Sequence, residues 1–147
     1  MNPRLSESIQ DKIDTYGWSC VGVFDPDGND PSFTYTVGLA AHGGAEYMIA
    51  GLDPHQATPL LNDIGARLTD GERFDEYSDS LLIDFRVRFV DMTGNHQANV
   101  ARDYWWGNEV ALRVRQVLWP DPQGRLPGEA GVEAIWVDLQ RVSGSGF

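Results

Sequence analysis

The chain has 147 residues, 41% hydrophobic and 11% aromatic, which is an ordinary composition for one folded globular domain. A single cysteine, Cys20, excludes an internal disulfide framework, and no clustered Cys and His residues suggest a structural zinc. With 22 acidic and 11 basic side chains, the net charge of −11 argues against binding to nucleic acid or an anionic membrane. The sequence shows neither a signal peptide nor an apolar run of the ~18–20 residues of a membrane helix, so we expect a cytoplasmic protein.

The negative charge is concentrated in the first half of the chain. Residues 1–80 hold 14 acids and 4 bases, whereas residues 81–147 hold 8 acids and 7 bases. The acidic first half of the chain would complement a basic surface. One candidate function is therefore that of an acidic interaction protein that binds a basic protein partner.

The first elements predicted along the chain are a helix and two strands. Apolar side chains at helical spacing over residues 5–16 predict an amphipathic helix that ends at Gly17. Residues 18–24 and 33–39 are predicted strands, and the acidic, turn-rich loop over residues 25–31 separates them. Together they indicate a hairpin.

A third strand and a second helix are predicted next. After a glycine-rich connection, the short apolar run at residues 47–52 is interpreted as a buried strand. Asp53 is a suitable N-cap and Pro54 a suitable first-turn residue for a helix whose apolar stripe continues to Gly71.

The second half of the chain is predicted to be rich in strands. Alternating apolar residues predict a long strand over residues 81–92 and another over residues 110–118. Residues 99–106 are a predicted short helix, and residues 134–139 a predicted closing strand. The glycine- and serine-containing tail at residues 143–147 is expected to be flexible.

Because the strands come in runs, these elements favour an α+β class. We expect a single α+β domain over residues 1–142, with a largely antiparallel sheet of about six strands and two to three helices. Periodicity does not distinguish an open sheet from a small closed barrel.

Candidate sites are few, and no catalytic residue or cofactor is assigned. His42 and Glu46 flank the glycine-rich connection and would suit a ligand site or an acid–base pair. The alternative is an exposed His42 with Glu46 solvated or acting as a cap. The three histidines, His42, His55 and His96, lie far apart, so we expect no metal site. Cys20 is interpreted as a buried, unreactive thiol.

Two arginine pairs occupy alternate positions on predicted strands. Arg86 and Arg88 share one strand face, and Arg113 and Arg115 share another. If the two strands are neighbours, four guanidinium groups would form a patch that binds phosphate or carboxylate. The alternative is that each arginine pairs with one of the abundant carboxylates.

An aromatic cluster includes Trp105 and Trp106, and adjacent tryptophans cannot both point inward from a regular element. One indole is therefore expected on the surface or at an interface, where it is left for a partner or a bound ligand. A second copy of the chain in a two-fold homodimer is the simplest partner.

Three segments of the sequence resemble one protein family. Residues 33–39 read Phe-Thr-Tyr-Thr-Val-Gly-Leu, residues 46–52 begin with the acidic Glu46, and residues 116–127 contain Gln-Val-Leu-Trp-Pro-Asp. Over residues 9–128 the chain resembles the domain of unknown function 4262 family of small bacterial and phage proteins. The resemblance implies a shared fold and a bacterial or phage origin, but no reaction.

The favoured function is a non-catalytic binding module for a small ligand, with an anionic group as one option. Besides the arginine pairs, its expected pocket residues are Tyr35, His42, Glu46, Trp119 and Asp121. The alternative is an acidic phage or bacterial protein that binds a basic partner surface, and an enzyme ranks last because no nucleophile or metal site is recognisable.

Overall fold

The computed structural model describes residues 7–81, 86–94, 97–105 and 112–147. Within these ranges the chain forms four α-helices, one short 3-10 turn and six strands. The helices are α1 Glu7–Tyr16, α2 Pro54–Thr69, α3 Asn99–Tyr104 and α4 Ala134–Asp138, and the 3-10 turn is Leu39–His42. The strands are β1 Ser19–Val23, β2 Phe33–Val37, β3 Glu46–Ala50, β4 Tyr77–Ser78, β5 Val87–Asp91 and β6 Val114–Leu118.

The six strands form one open, mixed sheet in the order β1-β2-β3-β6-β5-β4. Four of the neighbouring pairs are antiparallel, and the central pair β3 and β6 is parallel. Strands β1 and β4 are the two edges, so the sheet does not close into a barrel. The prediction of an α+β domain with about six strands is confirmed, and the open form is the correct alternative.

Alternation along the strands divides the core between the two faces of the sheet. On the α2 face, Tyr47, Phe89 and Val117 pack with the apolar stripe of α2. On the α1 face, the β2 side chains Tyr35 and Val37 pack with residues of α1 and α3. Period-two alternation explains the division, because successive side chains of a strand point to opposite faces.

Helix α2 forms as its sequence predicts. The Asp53 carboxylate accepts a hydrogen bond from His55 N at 2.8 Å, and Pro54 occupies the first turn, where its missing N–H is not needed. The buried stripe consists of Ala57, Leu60, Leu61, Ile64, Gly65 and Leu68.

The predicted closing strand over residues 134–139 is wrong, since Ala134–Asp138 is the helix α4. Four consecutive apolar residues fit a buried strand or a short helix equally well, and periodicity cannot separate them over this length. Tertiary contacts decide for the helix. Trp136 packs edge-on against Trp119, with ring centroids 6.1 Å apart. Just after the helix, Gln140 Nε2 donates to the Trp119 carbonyl at 2.9 Å.

Within the predicted long strand, Val87–Asp91 is the strand β5, and residues 82–85 lie outside the described ranges. Strand β4, which sequence periodicity missed, pairs with β5 over two residues. Two residues are too few to give a periodic signal.

The C-terminal residues contact the sheet. Thr93 N donates to the Gly144 carbonyl at 2.7 Å, and Ser145 Oγ donates to Gln116 Oε1 at 2.8 Å. Buried Gln140 accepts from Trp119 N at 2.8 Å through its side-chain oxygen and so connects α4 to the end of β6. The domain boundary at residue 142 and the flexibility of the tail stay predictions.

Substituting Gly65 with alanine tests the packing of α2 on the sheet. A Cβ at position 65 would lie 2.5 Å from Trp18 Cε2, closer than real contacts allow. Overpacking of about 1–3 kcal/mol should outweigh the helix-propensity gain of about 1 kcal/mol, so Gly65→Ala should lower the free energy of unfolding in urea.

A double-mutant cycle isolates the cause of that loss. In a Trp18→Val background the clash is absent, so Gly65→Ala should no longer destabilise the protein. A Gly65→Ala variant that is more stable than the wild type would contradict the packing assignment.

Candidate functional site

The carboxylate of Glu46 is enclosed by hydrogen-bond donors at the start of the central strand β3. Glu46 is 0% exposed, and its two oxygens accept five hydrogen bonds, an arrangement that we call the Glu46 cage. To Oε1 the donors are Thr36 Oγ1 at 2.7 Å and Leu39 N at 2.9 Å. To Oε2 they are Gly38 N at 3.0 Å, Ala40 N at 3.0 Å and Trp105 Nε1 at 2.7 Å.

The cage forms because the backbone turns sharply after β2. Gly38 has φ of 100°, a left-handed conformation that side chains with a Cβ rarely adopt. Its turn points three consecutive backbone N–H groups at one place, and such an arrangement attracts an anion. The internal carboxylate of Glu46 fills that place.

No cation neutralises this carboxylate, since none of the ion pairs among the described residues includes Glu46. Burial raises the pKa of Glu46, while the hydrogen bonds from Trp105, Ala40, Thr36 and Leu39 lower it and offset part of the effect. Because all five donors point at Glu46, its role is to hold the β2–β3 connection together. The alternative prediction that Glu46 acts as a cap describes this geometry, since its carboxylate accepts from the backbone N–H groups of residues 38–40.

His42 is the last residue of the 3-10 turn and is half-buried. Its Nε2 lies beside Gly17, 3.5 Å from where a Cβ on that glycine would be. His42 is not one of the five cage donors. The acid–base pair of His42 and Glu46 is therefore not assembled.

The other predicted pocket residues are also used inside the fold. Tyr35 accepts a hydrogen bond from Val100 N at 3.0 Å on the α1 face, and burial raises the pKa of its phenol. Trp119 is 7% exposed, belongs to the α2-face core and donates to the Ala50 carbonyl at 2.8 Å. These two rings lie in different core clusters, so they do not form one pocket.

Asp121 organises the loop that follows β6. Its carboxylate accepts from Gln123 N at 3.0 Å and from Arg125 N and Nε at 2.8 Å each. Burial raises the pKa of Asp121, but these hydrogen bonds and the Arg125 charge lower it by more, so it lies below its usual value. Asp121 therefore stabilises a loop.

The two arginine pairs lie on opposite faces of the sheet, so the expected patch of four arginines does not form. Strands β5 and β6 are neighbours, but Arg88 is opposite Leu118, and Asp91 is opposite Arg115. Directly opposite residues share a face and successive residues alternate, so this register places Arg88 and Arg115 on different sides.

Three of the four arginines pair with carboxylates, as the alternative expected. Arg86 Nη2 lies 2.6 Å from Glu129 Oε1, and Arg88 Nη2 lies 2.8 Å from Glu76 Oε1. Arg113 Nη2 lies 2.6 Å from Asp91 Oδ1. The pKa of Glu129 is lowered by its hydrogen bond from Arg86.

Arg115 differs because neutral acceptors hold its guanidinium. Its Nη1 donates to the Phe74 carbonyl at 2.8 Å and to the Tyr47 hydroxyl at 3.2 Å, and its Nη2 donates to the Asp75 carbonyl at 2.9 Å. Its Cζ lies 5.0 Å from the Phe89 ring centroid. None of the carboxylates in the described ranges lies within ion-pair distance of Arg115.

Arg115 lines a cavity of ≈ 470 Å³, which we call the arginine pocket. Gly43, just before β3, and Arg113, just before β6, place the pocket at the N-terminal ends of the two parallel strands. Its other lining residues are Tyr47, Arg73, Phe74, Asp75, Glu76, Phe89 and Asp91. Sequence reasoning missed Arg73 and Phe74, because they lie in a polar segment after α2 where no periodic signal exists.

Trp105 donates its indole N–H to the Glu46 cage, and its ring packs edge-on against Tyr104 with centroids 4.9 Å apart. The indole is half-buried. Trp106 lies outside the described residues. The homodimer interface predicted for Trp105 and Trp106 stays a prediction.

The described residues contain neither a metal-binding cluster nor a membrane-spanning helix. In these ranges, no group of three or more His, Cys, Asp or Glu side chains is placed to hold a metal ion. Likewise, none of the helices in the described ranges has both the length and the apolar character needed to cross a membrane.

Replacing Glu46 with glutamine tests the cage. A glutamine NH₂ group would replace one oxygen and face at least two N–H or O–H donors, leaving them unpaired. We expect Glu46→Gln to lower the free energy of unfolding by about 3 kcal/mol in urea denaturation. The matched control is Glu133→Gln, an exposed residue, which should change stability by less than about 0.5 kcal/mol. Equal effects of the two substitutions would show that the cage does not stabilise the fold.

The thiol of Cys20 should react slowly in the folded protein. Burial raises the pKa of Cys20 to about 12, with a smaller, opposite effect from Lys12. At pH 8 the thiolate fraction is then about a thousandfold lower than in the unfolded chain, where the pKa is about 8.5. Iodoacetamide labelling followed by mass spectrometry should be correspondingly slow until urea unfolds the protein. A native labelling rate within about tenfold of the unfolded rate would refute this expectation.

The part of the chain that matches a protein family includes the central strands of the sheet. The family model described as "Domain of unknown function (DUF4262)" matches residues 12–133. Neither the curated proteins nor the solved structures contain a match to this chain. Since the matched region covers most of the 147 residues and all six strands, the chain belongs to the DUF4262 family.

Proposed function

We propose that this protein is a non-catalytic binding module for a small anionic ligand, and that the ligand binds in the arginine pocket. The observation that carries the proposal is the guanidinium of Arg115. It is fixed by two carbonyl groups and a phenol, and it lines a cavity of a size that small ligands use.

The hydrogen-bond inventory of Arg115 supports this proposal. A guanidinium has five N–H donors, and the three bonds to described residues leave one hydrogen on Nη2 and the hydrogen on Nε. Arginine suits carboxylate and phosphate because two of its N–H groups bind two oxygens at once. A fixed guanidinium also loses little conformational entropy when it binds a ligand.

The charge balance of the pocket points the same way. Its carboxylates Asp91 and Glu76 are paired with Arg113 and with Arg88, respectively. Arg73 donates to the carbonyls of Leu68 and Glu72 and makes no ion pair within the described ranges. The lining itself is neutral, with three arginines and three carboxylates. Because Arg88 pairs with Glu76 from outside the lining, Arg73 and Arg115 are left with Asp75 as the remaining carboxylate of the pocket.

Ligand screening by thermal unfolding tests the proposal. Inorganic phosphate, pyrophosphate, citrate and adenosine monophosphate would each be added at low ionic strength. A ligand at 100 times its Kd should stabilise the wild type by about 2.7 kcal/mol. Because each arginine supplies charge-assisted hydrogen bonds of about 1.5 kcal/mol, Arg73→Gln and Arg115→Lys should each weaken binding about tenfold.

The matched control is Arg86→Gln, which removes an arginine whose carboxylate partner, Glu129, is not a lining residue of the arginine pocket. It should leave the affinity for the stabilising anion unchanged. If none of the four anions stabilises the wild type, or if Arg86→Gln weakens binding as much as Arg73→Gln, the pocket assignment is wrong.

A further inference from the structure

A second cavity of ≈ 440 Å³ lies at the β1 edge of the sheet, and we call it the edge pocket. Helix α1 contributes Lys12 and Tyr16, strand β1 with its preceding residue contributes Trp18 and Cys20, and helix α2 contributes Thr58 and Asn62. It shares no lining residue with the arginine pocket among the described residues. The two helices pack on different faces of the sheet, so the edge pocket straddles its border.

The indole of Trp18 is a fixed aromatic wall of this pocket. Its Nε1 donates to Asn62 Oδ1 at 3.0 Å, and its ring lies against Gly65, the only type of residue that leaves room for it in α2. These contacts fix the ring before any ligand arrives. Tyr16 adds a second aromatic ring that is 68% exposed.

Lys12 gives the edge pocket a positive charge. It is the single lysine of the chain, and none of the ion pairs within the described ranges includes it. Although the protein has 22 acidic side chains, none of those in the described part of the chain forms an ion pair with this ammonium group.

The remaining polar groups of the pocket are neutral. Cys20 Sγ donates weakly to Asn62 Oδ1 at 3.6 Å, and Thr58 contributes a hydroxyl group. Ser19 also lines the cavity, and its buried hydroxyl oxygen makes no hydrogen bond with the described residues. One cation, two rings and several neutral hydrogen-bonding groups therefore converge at one place.

We propose that the edge pocket binds a planar aromatic ligand that carries one anionic group. The indole of Trp18 and the phenol of Tyr16 would contact the faces of the ligand, since aromatic rings stack favourably in offset or edge-on arrangements. Lys12 would pair with the anionic group at the mouth of the pocket. Thr58 and Asn62 would supply hydrogen bonds to polar edges of the ring.

Two fluorescent probes that differ in charge test this proposal. 1-Anilinonaphthalene-8-sulfonate is an aromatic anion, and N-phenyl-1-naphthylamine has the same ring system without the sulfonate. The wild type should bind the anion with 1:1 stoichiometry and more tightly than the neutral probe. Lys12→Met should weaken binding of the anion about fivefold and leave the neutral probe unchanged.

A cavity-filling substitution and a matched control complete the experiment. Thr58→Trp should abolish binding of both probes, and a cooperative urea transition would show that this variant is folded. Arg88→Met removes a cation outside the edge pocket and should leave the affinity for both probes unchanged. Arg73→Gln removes a cation from the arginine pocket and shows whether the anionic probe binds there instead.

The proposal is overturned if the wild type does not bind the anion. It is also overturned if Lys12→Met changes both probes equally, or if folded Thr58→Trp still binds them. If Arg73→Gln is the one variant that loses binding of the anionic probe, the probe binds in the arginine pocket. That result would refute the proposal for the edge pocket.

Discussion

The buried carboxylate of Glu46 is the interaction on which the arrangement of this fold depends. It joins the end of β2 through Thr36, the turn at residues 38–40 and the C-terminal end of α3 through Trp105. Removing a carboxylate from water is strongly unfavourable unless its oxygens are satisfied, and five donors meet that condition. Because β3 begins at Glu46 and pairs with both β2 and β6, the cage fixes the centre of the sheet.

The sheet in turn decides which charged groups are available to a ligand. Antiparallel pairing of β5 with β6 places Arg88 and Arg115 on opposite faces, where each meets a different environment. In a chain with 22 acidic side chains, Arg86, Arg88 and Arg113 each pair with a carboxylate. Arg115 is held against Tyr47 and Phe89 instead, so its charge is positioned by neutral groups and faces a cavity. The same sheet leaves the β1 edge between α1 and α2, where the second cavity lies.

Local patterns predicted the strongly periodic elements well. Helix α2 has a capping aspartate, a first-turn proline and a long apolar stripe, and all of these act through neighbours in sequence. The strands β1, β2, β3 and β6 lie within their predicted ranges or within one residue of them. Short segments were less predictable. The helix at residues 134–138 packs against Trp119, and β4 is defined by its pairing with β5.

By itself the sequence determined the α+β class, the acidic character, the family and a few of the residues that matter to the candidate sites. It named Glu46 and Arg115 as important, because a carboxylate beside a glycine-rich turn and alternating arginines are visible locally. Only the tertiary structure decided their roles. Whether a charge is caged, paired or open to a ligand depends on strand register and on groups distant in sequence, such as Trp105 for Glu46 and Phe74 for Arg115. Local periodicity contains no information about those partners, since hydrogen bonds and Coulomb interactions act through space.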